Sequence, residues 1–307
     1  VFTPISTADR TFDFDSRLRQ RLCARGFSEA RTSALIPRQS APFAQGAVEL
    51  RNPLSEDHVA LRPSLLPGLL AVLERNIRAG AQSVRLFELG RTFSAPDANE
   101  ERHLALLCCG ETQGEVHWRG DAKRPLDFFD LKGAVEAVET GALSFRRTKK
   151  KPGLALAAEI FDGVNVVGFG GQLTTAKAET LGAKTPVFIL ELQLAGELAS
   201  NRGTVKFREL DKFPTVTRDI AMVVPDHLTH EKIISTFIDE PILERVKFFD
   251  LFVGPEAEKT LGACRKSMAY TLTYRDKNRT LTNDEVTVVH SRIRERLRSE
   301  LGAELRE

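Results

Sequence analysis

Thr282-Asn-Asp-Glu-Val-Thr-Val-Val-His-Ser-Arg-Ile-Arg-Glu-Arg-Leu297 decides how the C-terminal part of the chain folds. Thr282 with Glu285 three residues on is a capping box, in which each side chain accepts a hydrogen bond from the other residue's backbone N–H. Val286, Val289, Ile293 and Leu297 then recur at helical spacing, and Gly302 supplies a stop. Ala303 to Arg306 is long enough for a final short strand. Working back from this helix, 267–275 and 243–252 read as strands, 229–239 as a helix and Ile220 to Val224 as a strand. The order is βαββαβ within about 100 residues, which specifies a ferredoxin-like sandwich, two helices on one face of a four-stranded sheet. Alternation places Val246, Phe248, Asp250 and Phe252 on one face of their strand and Lys247, Phe249 and Leu251 on the other. Met268, Tyr270, Leu272 and Tyr274 likewise oppose Thr271, Thr273 and Arg275. Alternation leaves open which set meets the helices.

Upstream of 206 the pattern changes. Residues 13–26 read as a helix with Phe14, Leu18, Leu22 and Cys23 on one side and Gly26 at its end. Ala30 to Ile36 is strand-like and closes at Pro37, and 38–57 is polar and turn-rich. A second helix is expected from Leu65 to Ala79, with Ser64 as N-cap. Val84 to Gly90 and Arg91 to Phe93 suggest a strand with a turn, or two strands, and His103 to Cys109 another. Asp130 to Glu139 is helical, 154–161, 164–170 and 187–194 are strand candidates, and a short helix falls near 175–181. Strands in runs with a few helices indicate a mixed antiparallel sheet, so the fold class is α+β. Gly168-Phe-Gly-Gly171 reads as a bend between strands rather than a phosphate cradle, because no strand–turn–helix spacing surrounds it. Periodicity is lost in 195–205, where the domain boundary is placed, dividing 1–200 from 206–307.

The chain's 307 residues exceed what one core usually supports. Net charge is +2, with 18 Lys/Arg against 18 Asp/Glu in 206–307, so an RNA contact must come from local patches. Neither a membrane-length apolar run nor a signal-peptide pattern is present in the sequence. Cys23, Cys108, Cys109 and Cys264 form no Cys-x-x-Cys pair and read as thiols of a reducing cytoplasm. His227 and His230 lack a third ligand, so no metal site is expected. Arg146-Arg-Thr-Lys-Lys-Lys151 reads as a solvated surface loop. The chain opens at Val1 directly in folded-looking sequence, so it is expected to be a piece of a longer protein.

Two stretches carry a family resemblance. Asn52-Pro-Leu-Ser-Glu-Asp57, Leu61-Arg-Pro-Ser-Leu-Leu-Pro-Gly-Leu-Leu70 and Val84-Arg-Leu-Phe-Glu-Leu-Gly-Arg91 resemble the synthetase-like region of the bacterial phenylalanyl-tRNA synthetase β subunit. Phe213-Pro-Thr-Val-Thr-Arg-Asp-Ile220, Phe249-Asp-Leu-Phe252, Lys266-Ser267, Tyr274-Arg-Asp276 and Thr280-Leu-Thr282 resemble the ferredoxin-fold anticodon-binding domain of the same subunit. The resemblance implies a degenerate class II synthetase-like domain in 1–200 and an anticodon-binding domain in 206–307, from the last third to half of a longer subunit.

It also implies which chemistry is missing. In class II synthetases one motif sets an arginine on ATP phosphate, and alignment of Phe87 to Phe93 puts Ser94 there. Serine cannot supply a permanently charged bidentate fork. A further motif needs a Gly-rich strand leading to an arginine, which Gly168 to Lys177 lacks, and Gln172, Thr174 and Thr175 stand where the β-subunit pattern has Glu and His-Pro. No catalytic or cofactor-binding residue is therefore expected in this chain. ATP and Mg²⁺ would belong to the partner α subunit of an α₂β₂ enzyme that joins phenylalanine to tRNA(Phe). Arg218, Asp219, Phe252, Tyr274, Arg275, Asp276, Lys277 and Arg279 are the candidate tRNA contacts, with an internal salt bridge or turn bond as the alternative for each charged pair. Arg292, Arg294, Arg296 and Arg298 are expected to cover a solvated face, with phosphate contact by one or two of them as the alternative. Two other functions stay open, a free-standing class II-like enzyme acting on another nucleotide or amino acid, and a pure assembly module.

Overall fold

His103 to Cys109 is apolar at nearly every position because its strand is covered on both sides. In the computed structural model, which describes residues 7–37, 43, 46–112, 123–138, 143–148, 151–194, 211–237 and 240–306, Leu104 to Cys109 are all buried. The chain divides into two compact units, Val1–Val205 and Lys206–Glu307.

The first unit runs α1 (Thr7–Cys23), β1 (Ser28–Glu29), β2 (Leu35–Ile36), β3 (Val48–Glu49), β4 (Ala60–Leu61), α2 (Leu66–Arg78), β5 (Val84–Ser94), β6 (Asn99–Cys109), α3 (Phe128–Val138), β7 (Leu143–Thr148), β8 (Leu154–Asp162), β9 (Asn165–Leu173), α4 (Thr175–Thr180) and β10 (Val187–Gln193). Seven strands form one sheet in the order β1-β5-β6-β10-β9-β8-β7, and β2-β4-β3 form a small second one. Only β1 pairs in parallel, with β5; its other neighbours are antiparallel. Phe14, Leu18 and Leu22 of α1 and Leu131 and Val135 of α3 pack on one face, against Phe87, Leu104, Leu106 and Leu190. Leu66, Leu69, Leu70 and Leu73 of α2 and Ala178 of α4 pack on the other, against Leu86, Leu107 and Ile189. The sheet is the middle of three layers.

Several boundaries differ from the sequence reading, each for a physical reason. Val84 to Ser94 is a single strand, since its pairing with Cys109 to Asn99 runs without a break. Ala30 to Ile36 is not a strand; the segment leaves β1 and crosses to the small sheet through β2. Cys23 is exposed, so the buried stripe of α1 ends at Leu22. The basic run is not wholly a loop, because Arg146 and Arg147 lie in β7, the edge strand. Gly168 to Gly171 lies inside β9 rather than at a bend. At Gly171 a Cβ would come within 2.0 Å of the Leu156 carbonyl oxygen, so neighbouring backbone, not turn geometry, demands the glycine.

Several residues that carried the family resemblance in this unit, Arg62, Ser64 and Glu88 among them, are buried braces, whereas Asn52 to Asp57 are exposed. Arg62 donates to Glu88 at 2.8 Å, to Thr32 Oγ1 at 2.8 Å and to the Arg91 carbonyl at 2.9 Å. Glu88 also accepts from the Thr32 hydroxyl at 2.8 Å. A Cβ on Gly90 would sit 2.6 Å from the Arg62 guanidinium, so this position admits no side chain. Ser64 is not the N-cap of α2, which is Leu65. Glu191 instead accepts from the Ser64 hydroxyl at 2.6 Å and the Leu65 N–H at 2.8 Å, tying β10 to the helix start. His103 lies between Glu191 and Glu101, each at 3.3 Å.

The second unit runs β11 (Val216–Pro225), α5 (His230–Ser235), β12 (Leu243–Phe252), α6 (Pro255–Leu261), β13 (Arg265–Tyr274), α7 (Asn283–Leu301) and β14 (Glu304–Arg306). Its antiparallel sheet has the order β12-β13-β11-β14, the ferredoxin-like arrangement. The capping box at Thr282 and Glu285 is formed in both directions. Helix α6, anchored by buried Ala257, is an insertion that the sequence reading did not contain. No helix among the described residues is long and apolar enough to cross a membrane.

Removing one member of the Arg62–Glu88 pair strands a buried charge. Arg62→Ala is expected to destabilise the first unit by about 3–5 kcal/mol, whereas Arg62→Met with Glu88→Leu costs less than either single change. Urea midpoints for the three variants check this. Burial alone would lower the His103 pKa, but hydrogen bonds and charge from Glu191 and Glu101 outweigh it and raise the pKa above its ordinary value. His103 therefore adds stability that is complete below about pH 6.5, the unfolded value, and that is lost as pH rises through the folded value. Denaturation midpoints across this range should lose that component in His103→Gln.

Candidate nucleic-acid interface

The register of the second sheet settles which face is free. Ile220, Met222, Val224, Met268, Tyr270, Leu272 and Tyr274 are buried with Ile233, Val286, Ile293 and Leu297 of the helices. The alternate residues of the same strands, Ala221, Val223, Ser267 and Ala269, face away from α5 and α7. Strand β12 does not keep strict alternation, because its register shifts between Leu243 and Arg245 and again between Phe248 and Asp250. Val246 and Phe248 therefore pair with Leu272 and Tyr270 on the helix side, whereas Asp250 and Phe252 pair with Ala269 and Ser267 on the free side. The expectation that these four share a face is corrected by a one-residue bulge at Phe249.

The face away from α5 and α7, the groove side, centres on small residues, of which Ser267 and Ala269 are buried and Ala221 is half-buried. Half-buried Phe252 and exposed Asp250 stand at one wall. An Arg265–Glu304 ion pair at 2.6 Å joins β13 to β14 across the intervening β11. Thr271 donates to Asp219 at 2.7 Å toward the other end. Phe252 brings an aromatic ring and Asp250 a hydrogen-bond acceptor to this face. Asp250 and Ser267 lie in stretches that carried the resemblance, but neither they nor Ala221 were among the candidate contacts. The bulge that turns Asp250 and Phe252 outward has no signature in residue type.

The other candidates are distributed as follows. Arg218 lies on the helix side of β11, donating to Asn283 Oδ1 at 2.7 Å and the Thr217 carbonyl at 3.1 Å, so it and Asp219 point to opposite faces. Tyr274 is wholly buried, with its hydroxyl 3.0 Å from His290 Nδ1, and burial pushes its pKa up. It is a core residue and is removed from the candidate contacts. Arg275 is ion-paired with Asp211 at 2.8 Å and Glu244 at 3.0 Å. Asp276 accepts from the Asn278 N–H at 2.8 Å, closing a turn. Arg279 is paired with Glu285 at 2.7 Å; that bond, with those from Thr282, holds the Glu285 carboxyl at about 2. Lys277 is exposed and forms no ion pair among the described residues. Arg292 and Arg296 do not simply cover a solvated face, since both reach buried Glu240, at 3.2 and 3.3 Å.

In the first unit a cavity of about 270 Å³ opens on the sheet face between Phe43, His103, Lys151, Phe169 and Glu191. The Lys151 ammonium sits 3.4 Å from the centre of the Phe169 ring, and burial lowers its pKa. Glu191 is already engaged by Ser64, Leu65 and His103. The positions aligned with phosphate-holding arginines carry Ser94, which bonds the Asn99 carbonyl, and the β9–α4 turn, where Thr174 caps the helix. These residues do not fit a nucleoside triphosphate. Among the described residues no group of three or more His, Cys, Asp or Glu is placed to hold a metal.

Comparison with known proteins agrees with the two-part layout. Residues 3–194 match the phenylalanyl-tRNA synthetase β chain CLM domain, and residues 211–306 match the ferredoxin-fold anticodon-binding domain. The phenylalanine–tRNA ligase β subunit of Xylella fastidiosa is 36% identical over 290 residues, covering 90% of this chain and 36% of that protein. That of Lactiplantibacillus plantarum is 34% identical over 281 residues, covering 87% and 34%. The chain thus spans little more than a third of the length of these relatives. The pyrrolysyl-tRNA synthetase structure from Desulfitobacterium hafniense overlays 60% of this chain and 64% of its own at TM-score 0.45 and 18% identity. By the match over 3–194, the chain belongs to the phenylalanyl-tRNA synthetase β-chain family.

Proposed function

We propose that the chain is a non-catalytic, tRNA-holding part of a phenylalanine–tRNA ligase. The carrying observation is that Phe252 and Asp250 turn to the groove side of the second unit, away from α5 and α7, in a domain of the anticodon-binding family. An anticodon loop is single-stranded, and its unstacked bases are read by stacking and by hydrogen bonds to their edges. A base entering the groove stacks on Phe252, while Asp250 selects an edge that presents N–H donors. Arg218, Lys277 and the turn held by Asp276 and Arg279 meet the RNA backbone, with Arg275 fixing that turn to β12 through Glu244. The first unit scaffolds the partner α subunit, where ATP and Mg²⁺ would act; its own sheet face carries Lys151 on Phe169 and no phosphate-holding arginine. Phenylalanine, tRNA(Phe) and an α₂β₂ assembly are the substrates and partnership this reading assigns to the whole enzyme.

Titration of the 307-residue chain with tRNA(Phe) and a non-cognate tRNA at two salt concentrations tests the reading. Phe252→Ala should cost about 1–3 kcal/mol of cognate affinity, the worth of one stacked base. Asp250→Asn should narrow the gap between the two tRNAs, and Arg218→Ala should weaken both. Equal binding that ignores all three changes would leave assembly as the surviving role. ATP is expected not to bind the chain in equilibrium dialysis; saturable binding would restore the free-standing enzyme alternative.

A further inference from the structure

Arg218, His290 and Arg294 are cationic or titratable groups that the groove does not use. Asn283, Thr287, His290 and Arg294 recur at steps of four, three and four along α7, which puts them on one side of the helix. Arg218 is fastened to the start of this row through Asn283. His290 is held in the middle by the Tyr274 hydroxyl, with the two rings edge to face at 6.2 Å. The row covers about 16 Å at 1.5 Å per residue, enough to follow more than one phosphate of an extended strand.

What marks the row is its lack of counter-charge. Arg218 bonds only neutral oxygens. Neither Arg218 nor Arg294 has a carboxylate at ion-pair distance among the described residues, whereas Arg275, Arg279, Arg292 and Arg296 nearby are all paired. The groups facing His290 are Tyr274 from β13, Arg218 from β11 and Arg294 from its own helix. We propose that Arg218, His290 and Arg294 form a phosphate-binding row that carries the RNA backbone along α7, on the helix side of the sheet. It rests on the RNA-holding reading above and adds His290 and Arg294 to it. Phosphates there neutralise two guanidiniums that have no carboxylate partner among the described residues, and His290 gains a reason to take up a proton. In the free chain burial, then Arg294 and Arg218, lower its pKa. A bound phosphate reverses the electrostatic part of that effect, so RNA binding should draw in a proton.

The test is the salt and pH dependence of tRNA affinity for the 307-residue chain. Arg294→Ala should weaken tRNA(Phe) and a non-cognate tRNA by the same factor and reduce the slope of log K against log salt by about 0.7–0.9. Wild-type affinity should rise by roughly three- to tenfold from pH 8 to pH 6, with a flatter profile in His290→Gln. Arg294→Gln, checked by thermal melting, repeats the slope test without shortening the side chain severely. An unchanged slope and pH profile, with cognate preference intact and still sensitive to Phe252→Ala, overturns the row but leaves the groove. Absence of tRNA binding altogether overturns both.

Discussion

Arg62 and Glu88 are both nearly excluded from solvent, with side-chain exposures of 6% and 3%, and the first unit is arranged around keeping them together. Charges taken from water are tolerated only when every lone pair and proton is met. Thr32, the Arg91 carbonyl and the missing side chain of Gly90 supply that completeness. The second carboxylate, Glu191, fixes the start of α2 in the same manner from the middle of the sheet. The helix that closes one layer is thereby clamped at its N-terminus by polar bonds and along its length by four leucines. Arg62 and Glu88, which lie in stretches that carried the family resemblance, are consumed by this bracing.

The second unit divides its charges differently. Most of its arginines are matched to carboxylates, as Arg279 is to Glu285 and Arg296 to Glu240. Matched pairs hold turns and helix ends in place but present little net field to a polyanion. Two arginines without a carboxylate at ion-pair distance among the described residues, Arg218 and Arg294, lie at one side of α7, and exposed Asp250 turns to the opposite face of the sheet.

Elements with strong periodicity were legible in the sequence. The buried stripe of α7, its capping box and the βαββαβ order followed from residue spacing alone, because helix and strand periods are written directly in side-chain polarity. Two kinds of feature were not. Partnerships across long separations, such as Ser64 with Glu191 or Arg292 with Glu240, have no local trace. Facing was misjudged wherever regular alternation failed, and Tyr274 illustrates the other limit, since an aromatic in a family motif is equally apt to be core.

The bulge in β12 has a consequence for how such a domain can diverge. Phe249 is the surplus residue between two stretches of regular pairing, and Asp250 and Phe252 take their face from the second stretch, opposite Ala269 and Ser267. Many side chains would serve in its place, because the bulge requires a residue and not a particular chemistry. Loss of that residue would join the two stretches into one continuous ladder and leave Asp250 and Phe252 opposite the same partners. Substitution and deletion at this point are therefore both compatible with the same outward face, which is fixed by the pairing of Asp250 and Phe252 and not by the residue count of the strand.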